Sequence, residues 1–202
     1  MDQKIIKFLK KNKELFQAPE DQIDWEQIYK LALNDFKDSL GKFTEFWLDR
    51  NIHLENYLKE LPECFLRKCN NIKEFKIPHS ITSIGKKAFY GCTSLTNIVI
   101  PISVIMIGNS AFEDCDSLTS VVIPDSVTNI GNYAFYGCIS LTSMTIPDSV
   151  KSIGNYAFCY CGENLVINYN GTKAQFRTLT NGVFRSTYYT CHCADGDIVK
   201  KR

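Results

Sequence analysis

From residue 69 to residue 161 the apolar positions of this chain fall in one fixed order that restarts every 23 residues. Pro78, Pro101, Pro124 and Pro147 mark the period, and the pairs Ile84-Gly85, Ile107-Gly108, Ile130-Gly131 and Ile153-Gly154 keep step with them. So do Ala88-Phe89, Ala111-Phe112, Ala134-Phe135 and Ala157-Phe158. Cys69, Cys92, Cys115, Cys138 and Cys161 carry the phase one unit upstream, where Ile72, Phe75 and Ile77 match Leu95, Ile98 and Ile100. Self-similarity at a fixed period of this length is the signature of a solenoid, in which each unit buries its apolar residues against the next.

Each coil can be built from its residues. "SLTNIVI", "SLTSVVI" and "SLTSMTI" are short strands whose Leu, following Ile, Val or Met, and final Ile point inward, with the intervening residues outward. Proline then ends the strand, because it has no N–H to donate. On the return, Val127 and Ile130 face in, and Gly131 is expected at a turn that needs positive φ. The Ala-Phe pair fills the broad end. Equivalent cysteines on stacked coils lie about 5 Å apart, the strand spacing. That separation also fits a disulfide, but the favoured reading is a ladder of small buried thiols in a reducing compartment.

Residues 1–54 have another pattern. Ile5, Phe8, Leu9, Leu15 and Phe16 fall near one face of a helix. Asp24 with Gln27 resembles a capping box opening a second helix that faces Trp25, Ile28, Leu31, Ala32 and Phe36 inward, and a third runs through Phe43, Phe46, Trp47 and Leu48. Charge divides the chain in the same way: residues 1–77 hold 14 Lys/Arg and 14 Asp/Glu, the remainder 9 and 8. The expected layout is a helical region over 1–54, about five repeats over 55–165, and a C-terminal cap over 166–202. Capping the first coil is the favoured role of the helices, since an open apolar edge invites strand pairing.

The unit "IPDSVTNIGNYAFYGCISLTSMTI" resembles the BspA-like leucine-rich repeat, with its IP, IG, AF and C-x-S-L landmarks. The stretch "VINYNGTKAQFRTL…YYTCHCADGDI" is similar to the cap that closes such arrays. The resemblance covers residues 55–198. It implies an α+β repeat fold: a curved leucine-rich-repeat solenoid with a parallel β-sheet on its concave face, here preceded by a helical cap. It also implies protein recognition or adhesion and no enzymatic activity; many relatives are secreted or displayed on the cell surface.

Composition narrows the partner. A net charge of +1 gives no reason to expect nucleic acid or an acidic membrane. The Lys-rich start has no apolar core of a secretory signal, so with Met1 as the native start the expected location is the cytoplasm. His53, His79 and His192 stand apart from any metalloprotease, nucleophile-elbow or phosphate-loop motif, so no catalytic residue and no cofactor is expected. Cys191-His192-Cys193 raises the question of zinc, but in a strand the two cysteines point one way and the histidine the other, so cap-core thiols are the favoured reading. Asn170-Gly171-Thr172 is read as the opening of a cap helix.

What remains is an unidentified protein partner, with a homodimer through a solenoid end as a further expectation. Candidate binding positions are the outward strand residues Thr96, Asn97, Val99, Thr119, Ser120, Val122, Thr142, Ser143 and Thr145, together with Tyr133 and Tyr156, equivalent in adjacent coils. Plain β-propensity on an exposed sheet accounts equally well for the strand rows. A structural or adhesive surface protein is the alternative reading.

Overall fold

The computed structural model describes residues 3–17, 27–28, 31–32, 59–180, 183–184 and 187–201. Helix α1 (Gln3–Lys11) and a 3₁₀ turn (Lys13–Phe16) come first. The coils then supply paired strands: β1 (Glu60–Leu61), β3 (Ser83–Ile84), β5 (Met106–Ile107), β7 (Asn129–Ile130) and β9 (Ser152–Ile153) form one short-stranded parallel sheet. The longer strands β2 (Glu74–Lys76), β4 (Asn97–Val99), β6 (Ser120–Val122), β8 (Ser143–Ile146) and β10 (Leu165–Tyr169) run along a second side. Parallel register within each sheet joins residues one repeat apart, such as Val121 with Met144 and Ile107 with Ile130. The third side is built from turns holding the Ala-Phe pairs.

Inward and outward positions on the long strands fall as the pattern requires. Leu95, Ile98 and Ile100 are buried while Thr96, Asn97 and Val99 are exposed, and the next two coils repeat the inward set. The phenylalanines form a column: Phe89, Phe112, Phe135, Phe158 and Phe184 stack with centroids 5.0, 5.0, 5.3 and 5.1 Å apart in turn. Phe184 extends this column into the C-terminal cap. There α2 (Lys173–Leu179) opens at Thr172, whose hydroxyl accepts from the Gln175 N–H while the Gln175 side chain accepts from Thr172 N–H. Strand β11 (Tyr189–Cys193) continues the parallel sheet, and β12 (Gly196–Lys200) closes it antiparallel.

At the other end, Ile5 and Phe8 of α1, with Ile28 and Ala32, belong to the same apolar core as Leu61 and Phe65 of the first coil. Residues 27–28 and 31–32 are helical. Trp25, Phe36, the third helix and the Phe16 side chain lie outside the described residues.

Two details differ from the sequence reading or extend it. The glycine after each Ile does not have positive φ; it is required by the closeness of neighbouring coils. A Cβ on Gly131 would lie 2.5 Å from Asn109 N and 2.6 Å from Gly108 C, and the Gly85, Gly108 and Gly154 positions are equally tight. The left-handed residues come two and six positions later: Lys87, Ser110, Tyr133 and Tyr156, then Gly91, Asp114, Gly137 and Tyr160. Since Lys, Ser and Tyr all adopt this conformation at equivalent sites, the path of the coil imposes it, at about 1–2 kcal/mol for a residue with a side chain.

All nine cysteines are free thiols, eight of them buried. The ladder has a bonding pattern absent from simple apolar filling. Cys92, Cys115, Cys138 and Cys161 donate to the carbonyls of Leu66, Phe89, Phe112 and Phe135 in the preceding coil, at 3.0–3.3 Å. At the last coil the Thr187 hydroxyl takes over, donating to Phe158 O at 2.8 Å. Burial pushes the Cys115 and Cys138 thiols well above their ordinary value of 9.0. These protons are held in the folded state and lost in the unfolded state above that value, so stability is full below pH 9.0 and falls as pH rises beyond it. We therefore expect a melting temperature that declines above pH 9 and a slope that shrinks in Cys138→Ala. An unchanged slope would mean that this thiol is not held protonated by the fold.

Candidate protein-binding surfaces

The nine strand candidates come together on the long-strand side. Thr96, Asn97, Val99, Thr119, Ser120, Val122 and Thr142 are exposed, whereas Ser143 and Thr145 are half-buried. Ser120 registers with Ser143 and Val122 with Thr145. The threonine column is partly committed to the fold: Thr96 Oγ1 donates to Lys73 O at 3.0 Å and Thr142 Oγ1 to Thr119 O at 3.5 Å. The residues with most uncommitted apolar surface here are Val99 and Val122, 58% and 64% exposed, in step on successive coils.

Tyr133 and Tyr156 are not part of that face. They lie on the turn side, in the segment between β7 or β9 and the next long strand, with rings stacked at 5.3 Å. Tyr136 meets Tyr133 edge-on at 5.6 Å and Tyr160 at 5.3 Å, so the pair named from sequence is half of a four-ring cluster. Tyr133 and Tyr160 are exposed. Tyr90 stands apart, with the Arg67 guanidinium and the Lys87 ammonium each 5.5 Å from its ring centre. Burial, reinforced by the Asp114 and Glu113 carboxylates, raises its hydroxyl above the usual range.

The short-stranded side carries a shallow groove of about 470 Å³ floored by the glycine row and walled by Met106, Asn129 and Ser152 on one flank and Asn109 and Asn132 on the other. Those asparagines are structural: Asn109 Oδ1 accepts the Asn132 N–H at 2.9 Å, and Asn132 Oδ1 the Asn155 N–H at 2.7 Å. Their recurrence at 23 residues was a signal that sequence reasoning passed over.

In the cap, Cys191 and Cys193 do face one way, Sγ to Sγ 3.5 Å, while the exposed His192 bonds Asp197 through Nδ1 at 2.9 Å. Among the described residues no group of three or more His, Cys, Asp or Glu is placed to hold a metal ion. Nor is any described helix long and apolar enough to cross a membrane.

Stacked 23-residue coils with an inward Leu-x-x-Ile-x-Ile strand define a leucine-rich-repeat solenoid. The chain belongs to the BspA-type leucine-rich repeat family, whose model matches residues 42–165 in six copies. Similar solved structures include a T. pallidum leucine-rich repeat protein, 29% identical over 65% of this chain and 62% of that one, with a TM-score of 0.53. A leucine-rich cell surface protein from Faecalibacterium prausnitzii is 31% identical over 61% of this chain and 33% of that one, TM-score 0.57. The pneumococcal vaccine antigen PcpA shares the fold at 20% identity over 72% of this chain and 40% of that one, TM-score 0.53. The chain thus spans less than two thirds of each of these proteins. No curated protein is significantly similar to it. Family and fold together point to a protein-binding or surface-protein role.

Proposed function

We propose that the chain is a non-enzymatic protein-binding module, acting inside the cell as an inhibitor or adaptor that clasps a target on the long-strand side. The observation that carries this reading is the pair Val99 and Val122, apolar and mostly exposed within rows of small polar residues. An apolar centre with a polar rim is the layout of a protein interface, and a rigid solenoid loses little conformational entropy on docking. Thr119 and Ser120 form part of that rim, with the tyrosine cluster of Tyr133 and Tyr156 as a second anchor on the turn side.

The test is capture from the native host's lysate on full-length chain, compared with Ser120→Lys/Val122→Lys. Both residues are exposed, so the variant keeps its fold. A partner retained by the wild type and reduced tenfold or more (about 1.4 kcal/mol) in the variant supports the reading. Capture that is equal in the two would remove the long-strand side as the site. A surface or adhesive role is the second reading, favoured by the 31% identity to a cell surface protein; intact chain outside unlysed cells would support it.

A further inference from the structure

An internal repeat supplies its own reference for every outward position. In the turn after the long strand, neighbouring coils read Pro-His-Ser-Ile-Thr-Ser (78–83), Pro-Asp-Ser-Val-Thr-Asn (124–129) and Pro-Asp-Ser-Val-Lys-Ser (147–152). The coil between the first two reads Pro-Ile-Ser-Val-Ile-Met (101–106). Its inward residues, Val104 and the following Ile107, are fully buried, as are Ile81, Ile84 and Val127 in the coils beside it. Its outward residues depart together: Ile102, Ile105 and Met106 replace His or Asp, Thr or Lys, and Ser or Asn. They are 79%, 52% and 48% exposed. Folding does not ask for them, because about half or more of each residue stays exposed and the neighbouring coils form the same turn with polar residues. A contiguous apolar patch with that history marks an interaction surface.

We infer that this patch is the centre of a two-fold homodimer, formed through the side of the solenoid. The occupant is argued from charge and symmetry. Along the stack, backbone bonds fix the order Lys59, Thr82, Ile105, Thr128, Lys151, each N–H donating to the preceding carbonyl at 2.7–2.9 Å. In step with Ile102, His79 lies on one side and Asp125 on the other. A two-fold axis crossing the stack at this coil lays Ile102 and Ile105 on their own copies. It also brings His79 of each copy to Asp125 of the other, Thr82 to Thr128, and Ser83 to Asn129. The apolar centre is thereby flanked by the complementary pair His79 and Asp125, made twice as an isologous interface requires, while Thr82, Ser83, Thr128 and Asn129 keep their hydrogen bonds within the chain. An axis along the stack would instead set each coil against its own equivalent, so that His79 and Asp125 would never meet. In the crossed arrangement the one like-charged meeting, Lys59 with Lys151, falls at the outer edge beside Glu60.

The test is sedimentation equilibrium of the full chain over a concentration series, with Ile102→Asp/Ile105→Thr/Met106→Asn as the main variant. That variant carries the next coil's own residues, so it retains the fold, which circular dichroism checks. The wild type should show the mass of two chains and the variant the mass of one. His79→Asp alone should weaken association at least tenfold, and adding Asp125→His should restore it. A wild type of single-chain mass throughout, or a triple variant that still dimerises, overturns the proposal. So does a single-chain wild type whose patch captures a different protein, since the occupant would then not be a second copy. Ser120 and Val122 lie outside the patch, so failure here leaves the long-strand reading untouched, and the reverse holds.

Discussion

Replacing Phe112 with alanine will cost this protein about 3–5 kcal/mol of stability, the range for deleting a buried aromatic ring. Phe112 has no exposed surface and is stacked on both faces, at 5.0 Å from Phe89 and 5.0 Å from Phe135. The flanking rings are held by backbone bonds one coil apart, Phe89 N to Ala111 O and Phe112 N to Ala134 O, each 2.7 Å. They cannot close the gap without breaking the stacking register. The cavity therefore stays largely open, and the aromatic pairing energy is lost on both sides, each pair worth about 0.5–1.5 kcal/mol beyond area burial. In a solenoid each coil is stabilised by its neighbours, so the loss also weakens the coupling between the two halves of the array. Urea unfolding is the measurement. Phe112→Leu should lose well under half as much, and a Phe112→Ala cost of about 1 kcal/mol or less would mean the column is not packed as found here.

Gly131→Ala should destabilise by about 3 kcal/mol or more, at or beyond the upper end for overpacking. The added methyl would approach backbone atoms, Asn109 N at 2.5 Å and Gly108 C at 2.6 Å, and backbone has no rotamer by which to retreat. The coils would have to part locally, stretching the bond from Gly131 N to Ile107 O at 2.8 Å and that from Asn132 N to Asn109 Oδ1 at 2.9 Å. Gly137 provides the contrast. It has φ of 72°, yet Asp114 and Tyr160 occupy equivalent left-handed sites, and the nearest obstacle to its Cβ is the Asp114 carboxylate, a side chain that can turn where backbone cannot, giving up its hydrogen bond to Tyr90. Gly137→Asn should therefore cost about 1–2 kcal/mol, the strain of a left-handed residue with a side chain. Thermal melts of the two variants decide the matter: a Gly131→Ala melt equal to the wild type would refute close approach as the reason for the glycine.

The inferred self-association surface and the proposed binding face share one logic. In a repeated chain the inward residues are held alike by packing, so information about partners resides in outward positions that break the pattern. Ile102, Ile105 and Met106 break it most strongly, and Val99 and Val122 follow.

The 23-residue period, the inward and outward rows, the cap helix at Thr172 and the opposite directions of Cys191 and His192 were determined by the chain's own order of residues. Each follows from local rules: alternation along a strand, proline's missing donor, a hydroxyl at a helix start. Tertiary structure alone decided what happens between coils. The glycine row answers to a backbone one repeat away, and the thiols answer to carbonyls 26 residues earlier in the sequence. Tyr133 and Tyr156 share the 23-residue period of the strand rows but stand on another side of the coil. Periodicity along a sequence reports which residues are equivalent; which of them touch depends on how far apart successive coils stack and where each turn faces.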